Sequence, residues 1–407
     1  MTDDFPVSRR RLLGLSRFAA LGLVPPAALM AGLSPARAAG IETKAKAVHM
    51  VDAETGTVLF SLNADQPLPP ASLTKLMTAE VVFDALKRGE ISETTAYRVS
   101  EHAWRTGGAP AGTATMFAAL KSEVPVLDLL KGMTVDLAND ACLILAEGMT
   151  GTGGPAGEAA FAAKMMARAG TLGLKSAAFA NPTGLPTNPQ DPGNRISPRD
   201  LVSLAAHLQT TYPDRYPFYA LADFEWNKIR QRNKNALISA VPGVDGLAMG
   251  FAEGYGFSAV VSVARDGRRV NLAIGGLASE KERVEEAKRL LEWSLSAFAK
   301  RLLFKAGETV AEASVYGGAT GTVPLVTDGP VEVLVPHETT ERLSGRVVYR
   351  WPLSAPVKAG QPVGDLKVFL GDTELRSVPL KTSADIASGT LTDRSFDALK
   401  ELVLFWL

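Results

Sequence analysis

Apolar positions along the chain alternate between two spacings, and the changes of spacing mark its elements. Residues 47–61 read as two strands around Asp52-Ala53-Glu54-Thr55-Gly56, a turn-rich pentapeptide. After Pro69-Pro70 the spacing becomes helical. From Ser72 to Gly89, Leu76, Ala79, Phe83 and Leu86 share one stripe. Residues 90–121 are mixed, with Gly107, Gly108 and Gly112 marking a loop. Helical spacing returns over residues 124–149, broken near Leu137-Ala138-Asn139-Asp140, and again over 158–172 up to Gly173. Five prolines between 181 and 198 predict a loop, followed by a helix over 198–208. Residues 260–263 and 270–274 flank Arg265-Asp266-Gly267-Arg268, a hairpin signal. Ser279-Glu280-Lys281-Glu282 is a capping box that opens a helix to about Lys300, with Val284, Ala287, Leu291 and Phe298 as its stripe. Helices early and late around an antiparallel sheet predict an α+β domain over residues 39–304. Residues 305–384 hold short Val-rich runs (331–335, 346–350, 366–370) separated by Gly and Pro, which predicts a small all-β domain. Residues 385–407 read as an amphipathic helix, with Phe396, Leu399, Leu402, Val403, Trp406 and Leu407 on one side. Such a face suits a membrane interface, or docking on the protein itself.

Composition narrows the function classes. Lys+Arg and Asp+Glu both number 43, so no net field points to nucleic acid. A single cysteine, Cys142, excludes an intrachain disulfide. The first 38 residues resemble an export signal: Ser8-Arg9-Arg10-Arg11-Leu12-Leu13 has the twin-arginine pattern, an apolar run follows, and Ala36-Arg37-Ala38 ends it as a small-x-small cleavage site. The competing reading is a transmembrane anchor, which the short run and Pro25-Pro26 oppose. Removal of the segment takes away five Arg and two Asp and leaves a net charge of −3. Export of this kind places the protein in a bacterial periplasm.

The candidate chemistry lies at the start of the first helix. Ser72 and Lys75 are three residues apart, so on a helix they share a face. A serine hydroxyl needs a neighbour to take its proton, and a lysine desolvated by apolar surroundings can do so. The helix N-terminus adds N–H groups where an oxyanion would form. The alternative is that Ser72 only caps the helix.

Several ordered segments then carry a resemblance. Asp52-Ala53-Glu54-Thr55-Gly56, Leu68-Pro69-Pro70-Ala71-Ser72-Leu73-Thr74-Lys75, Asn139-Asp140-Ala141-Cys142, Asn181-Pro182-Thr183-Gly184-Leu185, Ser197-Pro198-Arg199-Asp200 and Gln231-Arg232-Asn233-Lys234-Asn235 resemble the low-molecular-mass penicillin-binding proteins. These are serine D-alanyl-D-alanine carboxypeptidases related to class A β-lactamases. The resemblance implies a β-lactamase/transpeptidase-like catalytic domain followed by a small β domain and an amphipathic tail. It implies no metal and no cofactor. It implies a peptidoglycan stem peptide as partner, with β-lactams as inhibitors and peripheral contact with the inner membrane through the tail.

The family carries three motifs around one cleft. Ser72 and Lys75 keep the first, as nucleophile and base. The second is Ser-x-Asn, whose serine relays a proton and whose asparagine holds the substrate amide. Here it reads Leu137-Ala138-Asn139, and leucine relays no proton. The third is Lys-Thr-Gly, which binds the substrate's terminal carboxylate. Here it reads Ala248-Met249-Gly250. Arg283 matches a family arginine that helps attract that carboxylate. Cys142 reads as a buried small hydrophobe or a second nucleophile. The resulting expectation is a serine D-Ala-D-Ala carboxypeptidase acting through an acyl-enzyme on Ser72. A catalytically weak homologue that binds peptidoglycan or a wall partner is the competing reading, and a β-lactamase is the third.

Overall fold

A computed structural model describes residues 41–186 and 193–390. The export signal and most of the amphipathic tail fall outside the described residues. The chain forms two compact units. Among the described residues, one holds 41–54 and Leu59–Ala297; the other holds Thr55–Val58 and 298–390.

The first unit is built on a five-stranded sheet. Its strands are β1 (Ala47–Asp52) and β2 (Val58–Leu62), then, after two small two-stranded antiparallel sheets, β3 (Ala96–Arg98) with β4 (Glu123–Pro125) and β5 (Asp223–Trp226) with β6 (Ile229–Arg232), the long strands β7 (Val244–Ala252), β8 (Gly256–Arg265) and β9 (Arg268–Leu277). The order is β2-β1-β9-β8-β7, so β7 is an edge strand. The β8–β9 hairpin turns on Asp266 and Gly267, both with positive φ, as a two-residue I′ turn requires.

Helices cover both faces. They are α1 (Lys75–Lys87), α2 (Glu101–Thr106), α3 (Val126–Val135), α4 (Asn139–Thr150), α5 (Gly154–Thr171), α6 (Pro198–Thr211), the short α7 (Leu237–Ala240) and α8 (Glu280–Ser296). Successive side chains of a strand point to opposite faces. Asn271 of β9 exchanges hydrogen bonds with Gln209 of α6, while Arg268, an odd number of residues earlier, donates to the Leu295 carbonyl at the end of α8. The two helices therefore lie on opposite sides of the sheet. Half of the capping box predicted at Ser279 forms, Ser279 Oγ accepting from Glu282 N; the Glu282 carboxylate reaches one residue farther back and accepts from Ala278 N instead of Ser279 N.

Two sequence expectations are corrected. The last helix stops at Ser296, not near Lys300, and Phe298, assigned to its apolar stripe, begins strand β10 (Phe298–Phe304). β10 pairs antiparallel with β13 (Val331–Pro336), a distant partner that no local pattern reveals. The structural division thus falls between Ala297 and Phe298, ahead of the change in composition after 304. Ser72 is also not a helix cap. It sits inside a 3-10 turn over Ala71–Thr74 that leads into α1, and neither the turn nor α1 is capped by a side chain.

The second unit is all-β among its described residues. β11 (Ala311–Tyr316), β12 (Thr322–Val326), β14 (Leu343–Tyr349), β15 (Leu353–Ser354), β16 (Pro362–Leu370) and β17 (Thr373–Thr382) form one sheet in the order β14-β16-β17-β12-β11-β15. Its core includes Val315, Val323, Leu325, Val331, Val333 and Val368.

Candidate active site

The approach to the nucleophile is held extended. Leu68 and Ile196 exchange backbone hydrogen bonds at 3.0 and 3.2 Å. The chain then tightens through Pro69-Pro70, and Ala71 takes φ +47°, the left-handed region that a residue with a Cβ enters at a cost. The 3-10 turn that follows leaves Ser72 partly exposed, while Lys75, the first residue of α1, is only 2% exposed. Lys75 Nζ lies 3.1 Å from Ser72 Oγ and donates to the Thr183 carbonyl at 2.8 Å. Burial lowers the lysine pKa from its ordinary 10.5 to about 8, against weaker opposing effects of Cys142 and Asp136. An amine so shifted spends part of its time neutral near physiological pH, which is what a base for a serine needs.

Beneath this turn runs the segment 181–186. Asn181 Oδ1 accepts from Thr183 N, Thr183 Oγ1 and Gly184 N, which folds the segment on itself. Pro182 O accepts from Thr78 Oγ1 of α1 at 2.7 Å, and Asn194 Nδ2 donates to Thr74 Oγ1. Gly184 has φ +80°, and a Cβ there would collide with the Ala71 carbonyl. The loop is therefore fitted against the backbone of the nucleophile turn.

Asn139 opens α4. Its Nδ2 donates to Thr113 Oγ1 at 3.1 Å, and its Oδ1 is buried without a partner. The preceding Leu137 takes φ +58°, a second strained residue beside the site. Asp140 ties the neighbouring loop down: its carboxylate accepts from Thr115 Oγ1, Met116 N and Ala118 N. Burial nonetheless raises its pKa. Thr134, the nearest hydroxyl upstream of Leu137, spends its proton on the Leu130 carbonyl inside α3. It is no substitute for the missing relay. Cys142, one turn along α4, is fully buried and donates to Ala138 O, and burial pushes its thiol up to about 12. That state is inert, as expected for a packed thiol.

The edge strand β7 forms the other wall. A Cβ at Gly250 would lie 2.7 Å from the Pro70 carbonyl and 3.6 Å from Ala71 Cβ, so only glycine lets strand and nucleophile turn approach this closely. Ala248, two residues earlier, faces the same side, and both it and Met249 are buried. Arg283 of α8 reaches the strand from behind. Its Nη1 donates to Gly250 O at 3.3 Å, its Nη2 meets Glu280 Oε1 at 3.1 Å, and its guanidinium lies 5.6 Å from the Phe257 ring centroid. Burial lowers its pKa.

Of the residues singled out from sequence, Ser72 and Lys75 are in hydrogen-bond contact, Gly250 abuts their turn, and Arg283 is joined to Gly250. Asn139, the first residue of α4, is tied through Thr113 to the neighbouring loop that Asp140 holds down. Thr113, Asn194, Thr74 and the Thr183 carbonyl were not anticipated. Asn181-x-Thr183 is legible as a turn, but nothing local marks Thr113 or Asn194.

Comparison with known proteins agrees with this geometry. The sequence profile described as D-alanyl-D-alanine carboxypeptidase matches residues 34–277, and that of the penicillin-binding protein 5 C-terminal domain matches 298–388. D-alanyl-D-alanine carboxypeptidase DacC of Escherichia coli is 32% identical over 356 residues, 87% of each chain. DacA of Haemophilus influenzae is 31% identical over 353 residues, 86% of this chain and 87% of its own. The crystal structure of penicillin binding protein 5 from Haemophilus influenzae superposes with a TM-score of 0.71 at 31% identity, covering 86% of this chain and 99% of that one. Ampicillin-bound penicillin-binding protein D2 of Listeria monocytogenes superposes with a TM-score of 0.55 at 25% identity, covering 63% and 99%. A nucleophile turn of this construction, matched along nearly the whole chain at these identities, makes the protein a member of the D-alanyl-D-alanine carboxypeptidase family.

Proposed function

We propose that the protein is a serine-type D-Ala-D-Ala carboxypeptidase of peptidoglycan stem peptides that works through an acyl-enzyme on Ser72. The observation that carries this is the buried amine of Lys75 at 3.1 Å from Ser72 Oγ, with its pKa lowered to about 8. Ser72 Oγ attacks the carbonyl carbon of the penultimate D-alanine while its proton passes to neutral Lys75. The tetrahedral intermediate collapses, the C–N bond breaks, and the amine of the terminal D-alanine leaves with a proton. Water, deprotonated by Lys75, then cleaves the Ser72 ester and frees the shortened peptide. With Leu137 in place of a hydroxyl, the proton for the leaving amine has to come back from Lys75 itself. Loss of one such transition-state contact costs about 3–4 kcal/mol in other enzymes, so turnover is expected to be slow. β-Lactams fit the same nucleophile, in line with the ampicillin-bound relative. Export through residues 1–38 and contact of the tail with the inner membrane complete the reading.

The second reading is a wall-binding protein without turnover, favoured by the apolar residues Leu137, Ala248 and Met249. Release of D-alanine from a pentapeptide substrate, followed over hours beside a Ser72→Ala control, separates the two. Ser72-dependent release supports the enzyme. No release and no adduct on Ser72, in protein shown to be folded, leaves only the binding role.

A further inference from the structure

Acyl transfer from an amide needs an acid as well as a base. An amine leaves a tetrahedral carbon readily only when its nitrogen takes up a proton. Leu137 has none to give, and Lys75 is held between Ser72 Oγ and the Thr183 carbonyl. A hydroxyl near Asn139 can carry the proton onward, because one hydroxyl both accepts and donates.

The threonines around the nucleophile turn and Asn139 are nearly all committed. Thr78 gives its proton to Pro182 O, Thr115 to the Asp140 carboxylate, Thr134 to Leu130 O and Thr183 to Asn181 Oδ1. Thr74 is 1% exposed, with its Oγ1 against Asn194 Nδ2. Thr113 differs. It is exposed, and the one hydrogen bond its side chain makes among the described residues is accepted, from Asn139 Nδ2 at 3.1 Å. Its own proton is left to give.

The backbone fixes its place. Ala114 O accepts from Asn139 N at 2.8 Å, so two bonds stitch residues 113 and 114 to the first residue of α4. A Cβ at Gly107 would lie 2.6 Å from Asp140 N, so the chain entering this loop is fitted against the same helix start. That helix start lies beside the base: Asp136 and Cys142, on either side of Asn139 in the chain, both act on the Lys75 charge.

We propose that Thr113 is the general acid for the leaving group, in place of the hydroxyl that Leu137 lacks. As the C–N bond breaks, its electrons stay on nitrogen, which takes the Thr113 Oγ1 proton. In the same step Thr113 Oγ1 takes a proton from solvent water, and Lys75 gives that water the proton it removed from Ser72. Lys75 ends neutral, Thr113 ends unchanged, and the terminal D-alanine leaves as an amine. The proton still originates on Lys75, and Thr113 is its last carrier. This inference rests on the reading of Ser72 as an acylated nucleophile.

The test compares two substrates on the full chain: diacetyl-L-Lys-D-Ala-D-Ala and the thioester of the same acyl group with thioglycolate. Both give the same acyl-enzyme and both leaving groups carry a carboxylate, but the thiol departs as a thiolate and needs no proton. kcat/KM is measured for each, with the Ser72 adduct followed by intact-protein mass spectrometry. Thr113→Val is expected to lower kcat/KM for the amide about tenfold or more beyond any change for the thioester, while Thr113→Ser keeps that ratio within about threefold of the unaltered protein. Equal slowing of both substrates would make Thr113 a mere support for Asn139 and overturn the proposal. So would a Thr113→Val variant that cleaves the amide normally, or an unaltered protein that cleaves the thioester alone, and both results would leave the Ser72 mechanism in place. An absence of any Ser72 adduct with either substrate would overturn both. Because the readout is a ratio within one variant, a partial loss of folded protein does not alter it.

Discussion

Ser72 and Lys75 divide the chemistry unequally. The hydroxyl is ordinary until the amine beside it is neutral, so the protonation of Lys75 sets the rate. Its pKa falls because burial penalises the ammonium, while the unfolded chain keeps the ordinary value of 10.5. Below about pH 8 the folded protein holds Lys75 protonated and unable to accept a proton. Between about 8 and 10.5 the fold holds fewer protons at this residue than the unfolded chain does. The contribution of Lys75 to stability therefore rises with pH across that window, since the penalty for burying its charge disappears. The same titration governs chemistry. The rate of Ser72 acylation is expected to climb through an inflection near pH 8 and then level off. Lys75→Arg, whose guanidinium stays protonated, should remove both the inflection and the acylation. Rapid-quench rates between pH 6 and 10 check this, and a flat profile in the unaltered protein would contradict it.

Helix α1 is the element on which this pair depends, and it is braced from two directions. Below the nucleophile turn, the 181–186 segment touches Ala71 so closely at Gly184 that even one methyl has no room. Gly184→Ala would also place a Cβ at φ +80°. The expected outcome is a fall of tenfold or more in the acylation rate, because the displaced backbone carries Ser72. Stopped-flow labelling of protein matched for secondary structure measures it. Farther along α1, Glu80 is fully buried. Its Oε1 accepts from Arg168 Nε of α5 at 2.7 Å and from Tyr212 OH at 3.0 Å, and its Oε2 lies 3.2 Å from His207 Nε2 of α6. Glu80→Ala removes the anion that this cluster is built around. The expected cost is about 3 kcal/mol, read from urea unfolding. Much of α1 could be read from the sequence, because Leu76, Ala79 and Phe83 repeat at helical spacing. The β8–β9 hairpin was equally legible in Asp266-Gly267. Glu80 was not, because its partners come from residues 168, 207 and 212, and no local pattern joins them. The same holds for Phe298, whose place in a strand depends on pairing with residue 336. Thr113 and Asn194 were hidden for a like reason: a threonine or asparagine in a loop looks the same whether or not it holds a functional neighbour.

At the scale of the whole molecule, the chain is divided less simply than its composition suggests. Among the described residues it passes between the two units not once but three times, because Thr55–Val58, which runs from the turn after β1 to the first residue of β2, is contained in the unit that holds 298–390. Within that unit Thr57 is fully buried. Its Oγ1 accepts from the Leu334 backbone N–H of β13 at 3.0 Å and from Thr55 Oγ1 at 2.8 Å. This small turn, only a few residues from a strand of the catalytic sheet, satisfies a buried donor some 277 positions along the chain. Thr57→Val keeps the shape of the side chain and takes away only the acceptor. A buried N–H left unpaired costs about 1–3 kcal/mol. The variant is expected to lower the denaturant midpoint of the β unit by a corresponding amount, followed through a probe placed in residues 298–390. Ser72 acylation in the folded protein should be unchanged, because Thr57 belongs to no part of the nucleophile turn. A variant that unfolds with the unaltered midpoint would mean that water reaches the Leu334 amide and replaces the threonine. A variant with normal stability but slower acylation would assign the 55–58 turn a part in the chemistry that its hydrogen bonds do not show.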